Sequence, residues 1–275
     1  MTAFGTMLRR QLGESRWFLG LAASALFGLG WLSAFIACRV ERRFREVTGE
    51  DAERFTQFTR GMGGKAMDFS SLAFQVMFWS HPFVFLIVCT WAISRGSAAV
   101  AGEIERGTLD VTLSRPVSRW EYLATQVLVA VLGFLVLAAA LVIGNRIGGL
   151  YNKVSDPPSA MALIMPAANL AMVGLAVYGY SLLLGSWDVV RWRPNLFAAT
   201  LTIAGFVAGV ASTFPTLSDW EWIGRFSVFK AFDPVEVAVT GETFAPHATG
   251  LGIVAATGVI LAFAVFHRRD LPSNS

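Results

Sequence analysis

Charge is scarce in this chain: Asp, Glu, Lys and Arg make up 15% of its 275 residues, against roughly 25% in an ordinary soluble domain. With 55% of residues hydrophobic, polar side chains are too few to cover a water-facing surface, which argues against a soluble enzyme. Histidine and cysteine are scarcer still. His81, His247 and His267 stand alone, with no partner three or four residues away, so no metal pair forms along one helix face. Cys38 and Cys89 are too few and too far apart for a disulfide framework or a metal cluster, and read as small apolar residues. The nearest imitation of a phosphate loop is Gly63-Gly64-Lys65-Ala66. It has Thr59 where the first glycine belongs and Ala66 where a Mg-binding hydroxyl belongs, so no ATP site follows from it. Carboxylates are missing from the apolar runs, which weighs against an ion-coupled carrier. Clustered polar catalytic groups are missing there too, which weighs against a membrane-embedded enzyme.

What the chain has is uncharged length. Runs without charge cover residues 17–37, 69–94, 123–145, 157–187, 195–218 and 243–266. About 20 residues at ~1.5 Å each cross the hydrocarbon, so each run crosses once. The expected fold is an all-α membrane protein of six transmembrane helices, at about 17–37, 72–94, 123–145, 159–186, 196–214 and 248–266. The first run exceeds the apolar stretch of about 7–15 residues in a cleaved signal peptide. Phe35-Ile36-Ala37-Cys38 faintly resembles a lipoprotein cleavage site, but Phe35 fits it poorly. The formal charge of +3 lies in loops at helix ends, which implies lipid headgroups and no nucleic acid.

Charge alone does not orient the chain. With both termini inside, eleven of the 22 Lys and Arg fall on the inner side, and seven of the other eleven lie between Arg39 and Lys65.

Phe4, Met7, Leu8 and Leu12 recur at helical spacing, so residues 1–16 read as an interfacial helix on the membrane surface, the alternative being a disordered tail. Phe44, Val47, Phe55, Phe58 and Met62 suggest helical pieces between the first two spans, broken near Gly49 and ended at Gly61, Gly63 and Gly64. Pro157-Pro158 suits the first turn of the fourth span, and Pro166 is expected to kink it. In 215–247, Trp220, Trp222, Phe226, Phe229 and Phe232 mix with charges, as in short extracytoplasmic interfacial helices. Gly144 with Gly148, and Gly205 with Gly209, offer small faces better suited to packing within the chain than to a dimer seam. Gln126, Asn169 and Tyr178 read as interhelical hydrogen-bonding groups, a substrate path being the alternative.

Local signals are densest in residues 95–122. The second span continues to Arg106, Gly107 ends it in a left-handed cap, and Thr108 caps a new helix with Asp110 in its first turn. That helix is short, about 109–114, because Pro116 disfavours helical geometry at Arg115. Ser118 and Glu121 then form a capping box, with Val117 and Tyr122 as its staple. Such an element suits force transmission from a soluble partner; an interhelical loop with solvated charges is the alternative.

Residues Gly102-Glu103-Ile104-Glu105-Arg106-Gly107-Thr108-Leu109, followed by Ser114-Arg115-Pro116-Val117-Ser118-Arg119, resemble the Gly-Glu-x-Glu-x-Gly-Thr-Leu…Ser-x-Pro-Val-x-Arg signature of permease subunits of type-two ATP-binding-cassette exporters. Phe229-Lys230-Ala231-Phe232-Asp233-Pro234 resembles that class as well. One departure is Thr125-Gln126, where many relatives have Gly-Lys.

The resemblance implies a short cytoplasmic coupling helix at 95–122 that meets a separate ATPase subunit through Glu103, Glu105, Arg106, Gly107, Thr108, Leu109 and Val111, with Pro116, Ser118 and Glu121 capping the segment. It further implies a second permease chain, identical or different, and ATP with Mg bound by the ATPase rather than by this chain. It places both termini in the cytoplasm and the chain in a bacterial or archaeal cytoplasmic (inner) membrane. A scaffold or assembly factor that engages an ATPase without moving a substrate is the other function the sequence allows.

Overall fold

The computed structural model of the chain describes residues 3–46, 71–114, 117–154, 157–213 and 221–269. The helical pieces expected between Gly49 and Gly64, the phosphate-loop imitation, Arg115, Pro116 and Trp220 lie outside the described residues. Every described element is a helix. Hydrocarbon offers no partner for backbone N–H and C=O groups, so each apolar run must satisfy its own.

Helix α1 spans Ala3–Glu46 and α2 spans Ser71–Met77; α3 spans Pro82–Glu105 with a π-helical stretch at Ala98–Gly102. Then come α4 (Thr108–Leu113), α5 (Arg119–Asn152), α6 (Ala160–Trp187), α7 (Trp192–Ala211), α8 (Glu221–Gly224), α9 (Pro234–Val239) and α10 (Phe244–Arg268). Six of them, α1, α3, α5, α6, α7 and α10, are long and apolar enough to cross a membrane.

Three expectations are corrected. Residues 1–16 do not form a separate interfacial helix: from Ala3 on they are the start of α1, which runs 44 residues without interruption, about 66 Å against a hydrocarbon core of about 30 Å. Gly13, close to the expected boundary, costs the helix only about 1 kcal/mol. Gln11 and Ser15 are buried on the bundle side, so the polar stretch packs against neighbouring helices. The second span does not begin near residue 72. His81 is extended (φ −64°, ψ 137°) and Pro82 occupies the first turn of α3, so the apolar run is split into α2 and α3. Pro157 and Pro158 precede α6 instead of opening it; Ser159 is the cap, accepting from the Ala162 N–H.

Helix α6 sits at the centre, packed on α3, α5, α7, α9 and α10, while α1 lies along α5. Glycine sets these crossings. A Cβ at Gly148 would stand 2.8 Å from the Trp31 carbonyl oxygen, and Gly144 faces the backbone of Phe27, so α1 and α5 touch main chain to main chain. Gly179 and Gly258 do the same for α6 and α10, as do Gly96 and Gly185 for α3 and α6. Between apolar helices in lipid, such close approach supplies the dispersion contact that the hydrophobic effect does not. Polar pairs fix register: Asn145 Nδ2 donates to Ser33 Oγ (2.9 Å) between α5 and α1, and the Tyr180 and Thr202 hydroxyls meet at 2.5 Å between α6 and α7. Gln126 hydrogen-bonds as expected, but the polar side-chain atoms of Asn169 and Tyr178 are buried without a partner among the described residues. Nothing in the structure accounts for these two.

The outer surface is apolar. Trp17, Leu21, Leu135, Ile203 and Ile260 are all exposed, a pattern that water penalises and acyl chains accept. In the segment before α10, Phe229 and Phe232 pack into the core against Phe85, while Trp222 and Phe226 point outward. Asp233 caps α9 by accepting from the Glu236 N–H.

Candidate coupling turn

The segment between α3 and α5 is shaped by its own side chains. Ahead of it, the Tyr122 hydroxyl donates to the Ala99 carbonyl at 2.5 Å, within the π-helical stretch. Gly102 leaves room for a neighbouring side chain: a Cβ there would stand 3.2 Å from Cδ of Arg191. Helix α3 ends at Gly107, whose φ of +67° is left-handed and favours glycine at this position.

Thr108 is the first residue of α4, and Gly107 is its cap, so the expected threonine cap is corrected. The threonine hydroxyl instead donates to Glu103 Oε2 at 2.6 Å, while Arg106 Nη2 donates to Glu103 Oε1. A carboxylate with two charge-assisted or polar donors outcompetes the weaker capping bond. Glu103 is therefore a buried bracket (3% exposed) that ties the end of α3 to the start of α4, and it presents no surface to a partner. Leu109 is likewise buried (1% exposed), an inward anchor of the turn.

What faces outward is Glu105, Arg106, Gly107, Asp110, Val111 and Ser114. Of the two apolar side chains that the resemblance places at the contact, Leu109 and Val111, Val111 is the exposed one, at 60%. The seven residues expected from sequence at an ATPase contact thus divide between an inner set, Glu103 and Leu109, with Thr108 half-buried, and an outer set of Glu105, Arg106, Gly107 and Val111. Glu105 has a second contact, accepting from the Arg191 backbone N–H at 3.0 Å, which links the turn to the loop between α6 and α7.

The expected capping box is present. Ser118 N donates to Glu121 Oε2 at 2.8 Å and Glu121 N donates to Ser118 Oγ at 3.1 Å, launching α5. The staple partners are both drawn into the core, Tyr122 fully and Val117 partly.

Sequence reading missed the arginines that lace this end of the bundle. Arg119 Nη1 donates to the carbonyls of Phe266 (3.1 Å), His267 (3.2 Å) and Arg269 (2.7 Å), closing the free C-terminal end of α10. Arg269 in turn donates to the Ser186 and Asp188 carbonyls, both at 2.9 Å, at the end of α6. Only the presence of an arginine in the motif hinted at this; its partner lies 147 residues away.

Comparison with curated proteins returned no match. The family of ABC-2 transporter proteins matches residues 14–271, from within α1 to the end of α10 and just beyond it. Six apolar crossing helices and a match over nearly the whole length agree: the chain belongs to the ABC-2 family of transporter proteins, as a multi-pass permease subunit.

Proposed function

We propose that this chain is the membrane half of an ATP-driven exporter, in which a separate ATP-binding-cassette ATPase docks on the turn between α3 and α5. The observation that carries the proposal is the outward set Glu105, Arg106, Asp110 and Val111, displayed on a segment that Glu103 and Leu109 hold from within. Exposed charges there set register and partner choice, and Val111 supplies an apolar knob for a pocket on the ATPase.

ATP and Mg bind in the partner, and this chain contributes no catalytic group. When ATP draws two ATPases together, each moves the turn beneath its own permease chain. Glu103 passes that movement to α3, and the link from Glu105 to Arg191 passes it to the start of α7. Two permease chains, identical or different, alternate access between them. Cytosolic ATP sets the orientation: the turn and both termini lie in the cytoplasm of a cell whose cytoplasmic (inner) membrane holds the complex.

The test is coexpression with candidate ATP-binding-cassette ATPases from the same organism, starting with any encoded in neighbouring reading frames. The wild-type chain should copurify with one of them and change its rate of ATP hydrolysis. Val111→Asp should weaken copurification about tenfold, the scale of one lost interface anchor, and leave the melting temperature unchanged because the side chain is exposed. Failure of the wild-type chain to associate with any of them overturns the proposal.

A further inference from the structure

At the end of the bundle that carries this turn, a cavity of about 310 Å³ opens between α1, α3, the start of α5 and the loop from α6 to α7. Gln11, Arg95, Glu103, Arg106, Gln126 and Arg191 border it. Its charges do not balance. Glu103 is paired with Arg106, and Glu14, also at the wall, is paired with Arg10.

The hydrogen bonds of Arg95 go only to neutral groups, with Glu14 and Glu103 acting on it from beyond contact: its Nη2 donates to Gln126 Oε1 at 2.9 Å and Gln11 Oε1 at 3.2 Å, and its buried Nε has no partner among the described residues. Arg191 donates through Nη2 to the Ser94 hydroxyl at 3.1 Å and the Ser94 carbonyl at 3.3 Å, and its Nε is also buried without a partner. Among the described residues, no carboxylate comes within 4.0 Å of either guanidinium.

Taking cations out of water without a counter-ion is unfavourable. Burial accordingly holds the Arg191 guanidinium below its ordinary value; Arg106 and Arg95 add to the effect and Glu105 opposes it. An anion in the cavity would relieve both cations at once. Guanidinium groups present paired N–H donors that match phosphate oxygens, and basic pockets between membrane helices are where lipid phosphates seat. Phe18, on the apolar face of α1, forms part of the wall, so the cavity adjoins the lipid-facing surface.

We propose that this cavity is a binding site for a phosphate-bearing anion, held between Arg95 and Arg191. The anion comes either from a lipid headgroup or from a soluble phosphate ester.

The experiment uses the full chain and reads melting temperature in detergent together with bound lipid by native mass spectrometry. One arm adds phosphatidylglycerol or, as the phosphate-free control, diacylglycerol; the other adds inorganic phosphate. Phosphatidylglycerol alone raising the melting temperature and remaining bound identifies a headgroup site, and inorganic phosphate acting as well identifies a soluble source.

Gln11→Glu supplies an internal carboxylate next to Arg95 with little change of shape, and Arg191→Gln removes one cation. Each should weaken binding about fivefold or more, the scale of one arginine at a membrane surface. Arg268→Gln, an exposed cation outside the cavity, should bind as wild type does. The proposal is overturned if neither anion binds, if binding survives both cavity variants, or if Arg268→Gln weakens it equally.

Discussion

Glu103 holds a carboxylate at 3% exposure between an arginine and a threonine hydroxyl on consecutive helices, and it does so where the chain reverses direction. The family resemblance assigns it to the partner surface beside Glu105, although side chains two apart on a helix point to different faces. Burial separates them. Glu103→Gln keeps the shape but removes the charge that Arg106 and Thr108 bind, and the cost expected for a hydrogen bond to a charged group is about 1.5–3 kcal/mol. The expected result is a lower melting temperature for the isolated chain. Val111→Asp should leave that temperature unchanged, and equal effects of the two substitutions would contradict the division into inner and outer residues.

At the scale of the element, the contact between α1 and α5 is decided by which glycines face a neighbouring backbone. Gly144 has the Phe27 backbone against it, whereas Gly28, one residue along α1 from Phe27, has nothing within 4 Å. Gly144→Ala is expected to push the helices apart at a cost of about 1–3 kcal/mol. Gly28→Ala should be neutral or raise stability by up to about 1 kcal/mol through helix propensity. Amide hydrogen exchange along α1 checks both: faster exchange near Phe27 in the first variant only. The pair Gly144 and Gly148 was readable as a packing face, and the structure finds its partner within the same chain. Gly30, which approaches Leu141 and Asn145 across that contact, stands four residues before Ala34, which meets Gly148; the crossing itself reveals the role of this small-residue pair.

At the scale of the whole molecule, the turn between α3 and α5 and the segment before α10 must lie on opposite sides of the membrane if each apolar helix crosses once. Both native cysteines are buried, so introduced ones report topology with little background. Arg225→Cys should react with a membrane-impermeant maleimide on intact cells, and Ser114→Cys should react only after the membrane is opened. The reverse pattern would invert the orientation and remove the proposed ATPase contact from the cytosol. The division of Lys and Arg offers no help here, since it is even.

Taken by itself, the sequence determined the six apolar crossing helices and the position of the turn at Gly107. Hydropathy runs longer than the bilayer have one stable solution, and Gly107, Ser118 and Glu121 act through bonds to residues within a few positions. The tertiary structure decided the rest: that the start of α1 packs on the bundle, that Glu103 and Leu109 point inward, and that Arg119 closes a helix 147 residues away. It also gathered Arg95 and Arg191 around one cavity. These outcomes depend on which helix faces cross, and local spacing carries no information about a neighbour that arrives from the far end of the chain.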